Sequence, residues 1–122
     1  MLNKICQTEN IPLLNIVRRE EHAELLKKEG ATHVIVTTGD WVPQYQELVK
    51  THGFNCLFDA LGGGPVTDAL ISGLNGSSKI FIYGALEHKE ITISSKVGLF
   101  GGMVVTGFML MRWWYGSCSP ER

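Results

Sequence analysis

The chain has 122 residues, 44% hydrophobic and 19% charged, enough for one domain with a modest core and too few for a second. A formal net charge of −1 argues against a nucleic-acid partner, because gripping backbone phosphates takes a clustered cationic surface. Cys6, Cys56 and Cys118 lie far apart with no Cys-x-x-Cys pair, which indicates neither a zinc knot nor a disulfide framework and fits a reducing compartment.

Strand and helix patterns alternate from end to end, the signature of a parallel α/β sheet, with no repeat or linker to mark a boundary. Met1-Leu2-Asn3-Lys4-Ile5-Cys6 has neither the apolar core of a secretory signal nor the bias of a transit peptide. The expected location is intracellular, with cytoplasm and mitochondrion left open. Residues 3–10 read as the tail of a helix, and residues 11–17 as a continuous apolar strand buried on both faces. Residues 20–29 form a helix: Glu20 and Glu21 suit its N-terminus, Ala23, Leu25 and Leu26 its apolar face, Lys27 and Lys28 its last turn, and Gly30 its end.

A second strand over residues 33–37 precedes a helix running to about His52, with Asp40 as its N-cap and Val42, Tyr45, Leu48 and Val49 on one face. Residues 55–60 are the third strand. Gly62-Gly63-Gly64-Pro65 turns into the next helix, where Pro65 fits the first position and Ala69, Leu70 and Leu74 face the sheet. Residues 79–83 and 104–108 are the fourth and fifth strands. Residues 97–111, which include the fifth strand, carry no charge and lead into Arg112-Trp113-Trp114-Tyr115, which resembles an interfacial anchor. The stretch falls short of the roughly 18 residues of a membrane span, and Gly98, Gly101, Gly102 and Gly107 interrupt it, so a buried turn and a strand are expected and no membrane partner.

Arg18 and Arg19 end the first strand, where an open α/β sheet receives the adenosine ribose of a dinucleotide. Guanidiniums there favour a ribose 2′-phosphate over the bare hydroxyl that an acidic residue accepts, so the expected cofactor is NADP(H). Cations at a helix start oppose the macrodipole, which marks them as serving a purpose. Ala60, Leu61 and Gly62, at the end of the third strand, are placed for backbone approach to a cofactor, and Tyr83, Gly84 and Ala85 hold the same place on the fourth. The glycine triplet matches neither a dinucleotide fingerprint nor a P-loop with its lysine. His22, His33, His52 and His88 are scattered, and Asp59 reads as a hydrogen-bonded structural group rather than a base.

Four blocks in order resemble the nucleotide-binding half of medium-chain dehydrogenases/reductases. Val17-Arg18-Arg19-Glu20-Glu21-His22-Ala23 through Gly30-Ala31 resembles their second strand and helix. Phe58-Asp59-Ala60-Leu61-Gly62-Gly63 resembles the fourth-strand turn, Ile80-Phe81-Ile82-Tyr83-Gly84-Ala85-Leu86 the fifth, and Gly107-Phe108-Met109-Leu110-Met111-Arg112-Trp113 a Gly-Phe-x-x-x-x-Trp-like segment of the enoyl reductase branch. The nearest likeness is to zinc-free quinone oxidoreductases and trans-2-enoyl-CoA reductases, over about residues 3–114.

The resemblance implies a Rossmann-like parallel sheet over residues 1–115, a tail over residues 116–122, and reduction of activated C=C bonds in enoyl thioesters, enones or quinones. It implies that Arg18, and Arg19 beside it, bind the 2′-phosphate, that Tyr83, Gly84 and Ala85 line the nicotinamide side, and that Phe108, Met109 and Leu110 approach the cofactor. The strand 103–109 is expected to pair with its twin in a homodimer. Against the family pattern the sequence lacks the catalytic domain, the central first strand and the glycine-rich loop after it, so a truncated cofactor domain is expected. A non-catalytic remnant or dimerisation module that no longer binds nucleotide is the alternative, and a methyltransferase is disfavoured by the paired arginines.

Overall fold

A computed structural model describes residues 1–74 and 76–117, and divides the chain into two compact units, Met1–Phe54 and Asn55–Arg122. In the first unit the order is α1 (Leu2–Thr8), β1 (Leu14–Val17), α2 (Glu20–Lys28), β2 (His33–Val36) and α3 (Val42–His52). β1 and β2 are parallel and in register from Leu14 opposite His33 to Val17 opposite Val36. Ala23 of α2, Ile35 of β2, and Tyr45 and Val49 of α3 are buried, as the helical spacing requires. Gly30, at φ 85°, closes α2: its N–H reaches the Lys27 carbonyl and that of Ala31 the Leu26 carbonyl, the two bonds of a Schellman end. Asn3 and Gln7 of α1 donate their side-chain amides to the Glu29 carbonyl, so α1 caps the end of α2.

The second unit holds β3 (Cys56–Asp59), α4 (Pro65–Gly73), β4 (Lys79–Ile82), α5 (Ser95–Gly101), β5 (Val104–Gly107) and α6 (Leu110–Ser117). Its strands form a parallel sheet in the order β3-β4-β5. Ile71 and Leu74 pack with Ile80 in its core, flanked by Leu57, Ile82, Ile91, Ile93 and Met103. The opposite sheet face carries a stacked pair, Phe58 and Phe81, with ring centroids 5.3 Å apart.

The parallel α/β reading is borne out, with three corrections. β1 starts at Leu14 and is half-buried throughout, because the preceding Pro12 has no N–H for a ladder, and β2 is the only described strand beside it. Asp40 is not the N-cap of α3: Trp41 takes that place with αR geometry and no side-chain cap, and Pro43 sits in the first turn. A seven-residue helix, α5, replaces the turn expected after residue 97, and none of its residues is buried. Among the described strands β1 pairs only with β2, and β3 only with β4. No helix among the described residues is long and apolar enough to cross a membrane. Of the expected tail, Gly116 and Ser117 belong to α6, and residues 118–122 lie outside the described residues.

Candidate functional site

The second unit gathers nine of the expected site residues at the carboxyl edge of its sheet. Beyond β3 the chain bends at Asp59, whose carboxylate is 3% exposed and fully engaged. One oxygen accepts the Leu61 N–H (3.0 Å) and the Thr67 hydroxyl (3.2 Å), and the other accepts the Gly62 N–H (3.0 Å). Asp59 is therefore the structural group expected, clamping the Ala60-Leu61-Gly62 turn to α4. Beyond β4, the Tyr83 N–H bonds the Asp59 carbonyl (2.9 Å), that of Leu86 the Ala60 carbonyl (3.3 Å), and that of Glu87 the Leu61 carbonyl (2.9 Å). The Phe108 N–H reaches the Ile82 carbonyl (2.8 Å), setting Phe108 beside the end of β4.

Two glycines allow this interlock. A Cβ on Gly84 would lie 2.5 Å from the Ala60 carbonyl oxygen, and one on Gly62, whose φ is 70°, would lie 2.6 Å from that of Gly84. Gly63 belongs to the same packing, for a Cβ there would meet the Lys89 carbonyl, and the Gly64 N–H bonds the Glu90 carbonyl (3.2 Å). With the Leu61, Gly62 and Gly64 N–H groups engaged, the triplet makes a tight corner rather than a phosphate cradle. Tyr83, Ala85, Phe108, Met109 and Leu110 are exposed along this edge, offering a largely apolar rim.

The first unit carries the other two expected residues. Arg18 follows β1 and is exposed; Arg19 is the N-cap of α2 in an extended conformation (φ −127°, ψ 141°). The Arg19 guanidinium lies 3.3 Å from a carboxylate oxygen of Glu21, with both side chains about two-thirds exposed (67% and 66%). Such surface pairs contribute at most about 1 kcal/mol, so an arriving phosphate can take Arg19 from Glu21 at small cost.

The sequence reading missed the supports of this edge: Thr67, fully buried against Asp59, and Asp68, whose carboxylate accepts the Thr92 N–H (2.8 Å) and ties the loop after β4 to α4. Thr67 and Asp68 follow Pro65 in the first turn of α4, where their hydrogen-bonding side chains were the available signal. The histidines are less scattered than expected, since His33 and His52 are in ring contact at 4.4 Å. Among the described residues no three His, Cys, Asp or Glu side chains are placed to hold a metal.

Residues 2–119 match the family model described as zinc-binding dehydrogenase. The fold is similar to that of a Mesorhizobium loti protein described as an NADPH:quinone reductase, at 27% identity and a TM-score of 0.80, over 92% of this chain and 33% of that one. It is similar also to the mitochondrial 2-enoyl thioester reductase heterodimer (Etr1p/Etr2p) of Candida tropicalis, at 22% identity and a TM-score of 0.75, over 93% of this chain and 34% of that one. A complex of Etr1p with NADP and crotonyl-CoA aligns with the same identity, TM-score and coverage. The chain thus spans about a third of the length of the proteins whose structures it matches. No curated protein matches it.

Proposed function

Because this chain belongs to the zinc-binding dehydrogenase family, within the medium-chain dehydrogenases/reductases, we propose that it is the NADP(H)-binding part of a reductase of activated carbon–carbon double bonds. The observation that carries the reading is the interlocked edge of β3, β4 and β5, where Gly62 and Gly84 bring the strand-end turns together backbone to backbone. Such an edge, pinned by Asp59 and free of side chains at its glycines, suits a planar nicotinamide laid across strand ends. Tyr83, Gly84 and Ala85 would line that ring, Phe108, Met109 and Leu110 its flank, and Ala60, Leu61 and Gly62 the adjoining ribose. Arg18 and Arg19 would hold the 2′-phosphate by charge-assisted hydrogen bonds. When bound, the cofactor supplies a hydride for the β-carbon of an enoyl thioester, enone or quinone; this chain's residues bind and orient it. The neighbours named as NADPH:quinone and 2-enoyl thioester reductases, one of them bound to NADP and crotonyl-CoA, support the substrate class.

Parallel titrations of the chain with NADPH and NADH, read by tryptophan fluorescence and thermal shift, test this function. The expected result is weak, NADPH-selective binding that disappears in Arg18→Ala. Weakness follows from the engaged donors of the glycine triplet, which leave the pyrophosphate without a helix N-terminal cradle there. A cooperatively folded chain that binds neither nucleotide would favour the remnant or dimerisation module instead. One observation supports dimerisation in its own right: β5 ends the sheet, and all four of its residues are exposed. Pairing through the strand 103–109 with a second copy would continue the sheet.

A further inference from the structure

The strand-end charges in the first unit cancel: Arg18 and Arg19 are followed at once by Glu20 and Glu21. Glu21 touches Arg19, with the carboxylate oxygen 3.3 Å from the guanidinium. Resting on the NADP(H) reading, we infer that Glu21 is a specificity-determining residue, which holds Arg19 to the first turn of α2 and narrows the preference for a 2′-phosphate over a 2′-hydroxyl. Two effects act in the same direction. A phosphate dianion must draw Arg19 away from Glu21 and then sit near its negative charge, which weakens NADPH binding. A bare ribose hydroxyl meets an acidic acceptor beside the strand end, the group that favours NADH in open α/β sheets. The strand end accordingly accepts both cofactors, with a smaller bias to NADPH than two arginines alone would impose.

The test is the NADPH-to-NADH affinity ratio of the chain and its Glu21→Gln variant, measured by titration at low and high salt. Glu21 is largely exposed and Glu20 remains at the helix start, so the variant keeps its fold, which a thermal melt verifies. The expected result is NADPH binding tightened about threefold to fivefold near 0.05 M salt, shrinking near 1 M where the screening length falls to about 3 Å. NADH binding is expected to stay level or weaken. In an Arg19→Gln background, Glu21→Gln should tighten NADPH binding less, because the carboxylate then has no guanidinium to hold back. A ratio unchanged by Glu21→Gln overturns the inference and leaves the NADP(H) reading standing. Binding of neither nucleotide by the parent chain overturns both.

Discussion

The backbones of Gly84 and Ala60 are in contact across the ends of β4 and β3, so closely that a Cβ on Gly84 would stand 2.5 Å from the Ala60 carbonyl oxygen. Neither backbone can retreat freely, since the Leu86 N–H bonds that same carbonyl and Asp59 clamps the turn from the other side. Gly84→Ala is therefore expected to destabilise the chain by about 1–3 kcal/mol through overpacking. Gly98→Ala is the control: a Cβ there meets nothing within 4 Å, and alanine in α5 should stabilise by about 0.5–1 kcal/mol. Urea denaturation of the two variants checks the opposite signs.

A second prediction concerns the clamp itself. Asp59→Asn replaces one acceptor oxygen by a donor facing N–H or O–H groups that are themselves donors, and at 3% exposure the site leaves water little room to repair the mismatch. The loss should be about 2–3 kcal/mol, as for charge-assisted bonds left unmade in a buried place. Thr67→Val removes one hydroxyl and keeps the shape, at a cost of about 1 kcal/mol. Because Thr67 and Asp59 share a bond, the double variant should cost less than the sum, which a double-mutant cycle in urea measures.

Much of this edge was legible in the residues. Asp59 in an apolar strand, followed by glycines and Pro65, already implied a satisfied carboxylate at a strand-to-helix turn. Arg18, Arg19, Tyr83 and Gly84 stood at strand ends by periodicity alone. What periodicity does not encode is tertiary: Thr67 is an ordinary helix residue until Asp59 faces it, and the ring contact of His33 with His52 joins the start of a strand to the end of a helix. The Asp40 N-cap failed because Asp40 matches the composition of a cap but stands one residue too early, with Pro43 fixing where the helix begins. Helix α5 was hidden because Gly98, Gly101 and Gly102 read as a turn, whereas only Gly102 adopts a left-handed conformation, at φ 61°.

The third prediction follows from Tyr45, whose side chain is buried in α3, so that burial pushes its phenol well above the ordinary value. In the unfolded chain the phenol releases its proton from about pH 10. Folded-state stability is full below that pH, and declines above it by up to about 1.4 kcal/mol per pH unit as only the unfolded chain ionises. Denaturation midpoints measured between about pH 8 and about pH 11 should fall along this limb. Tyr45→Phe should flatten it, because no buried phenol remains at that position to titrate.

The last prediction separates the dimer from the fold. Val104 donates to the Ser78 carbonyl (2.9 Å) and Phe108 to that of Ile82 (2.8 Å), so both N–H groups point inward to β4. Alternation then turns the Val105 and Gly107 N–H groups outward, along the open edge. Val105→Pro would remove one outward donor without touching a β4–β5 bond, and proline is tolerated at such an edge position. If two copies join through β5, sedimentation equilibrium should find this variant monomeric, with a thermal midpoint that no longer depends on protein concentration. Thr106→Pro is the counterpart, since its N–H faces β4 by the same alternation; it should disrupt the sheet and lower the midpoint at every concentration. An unchanged association constant in Val105→Pro would place the interface elsewhere on the chain.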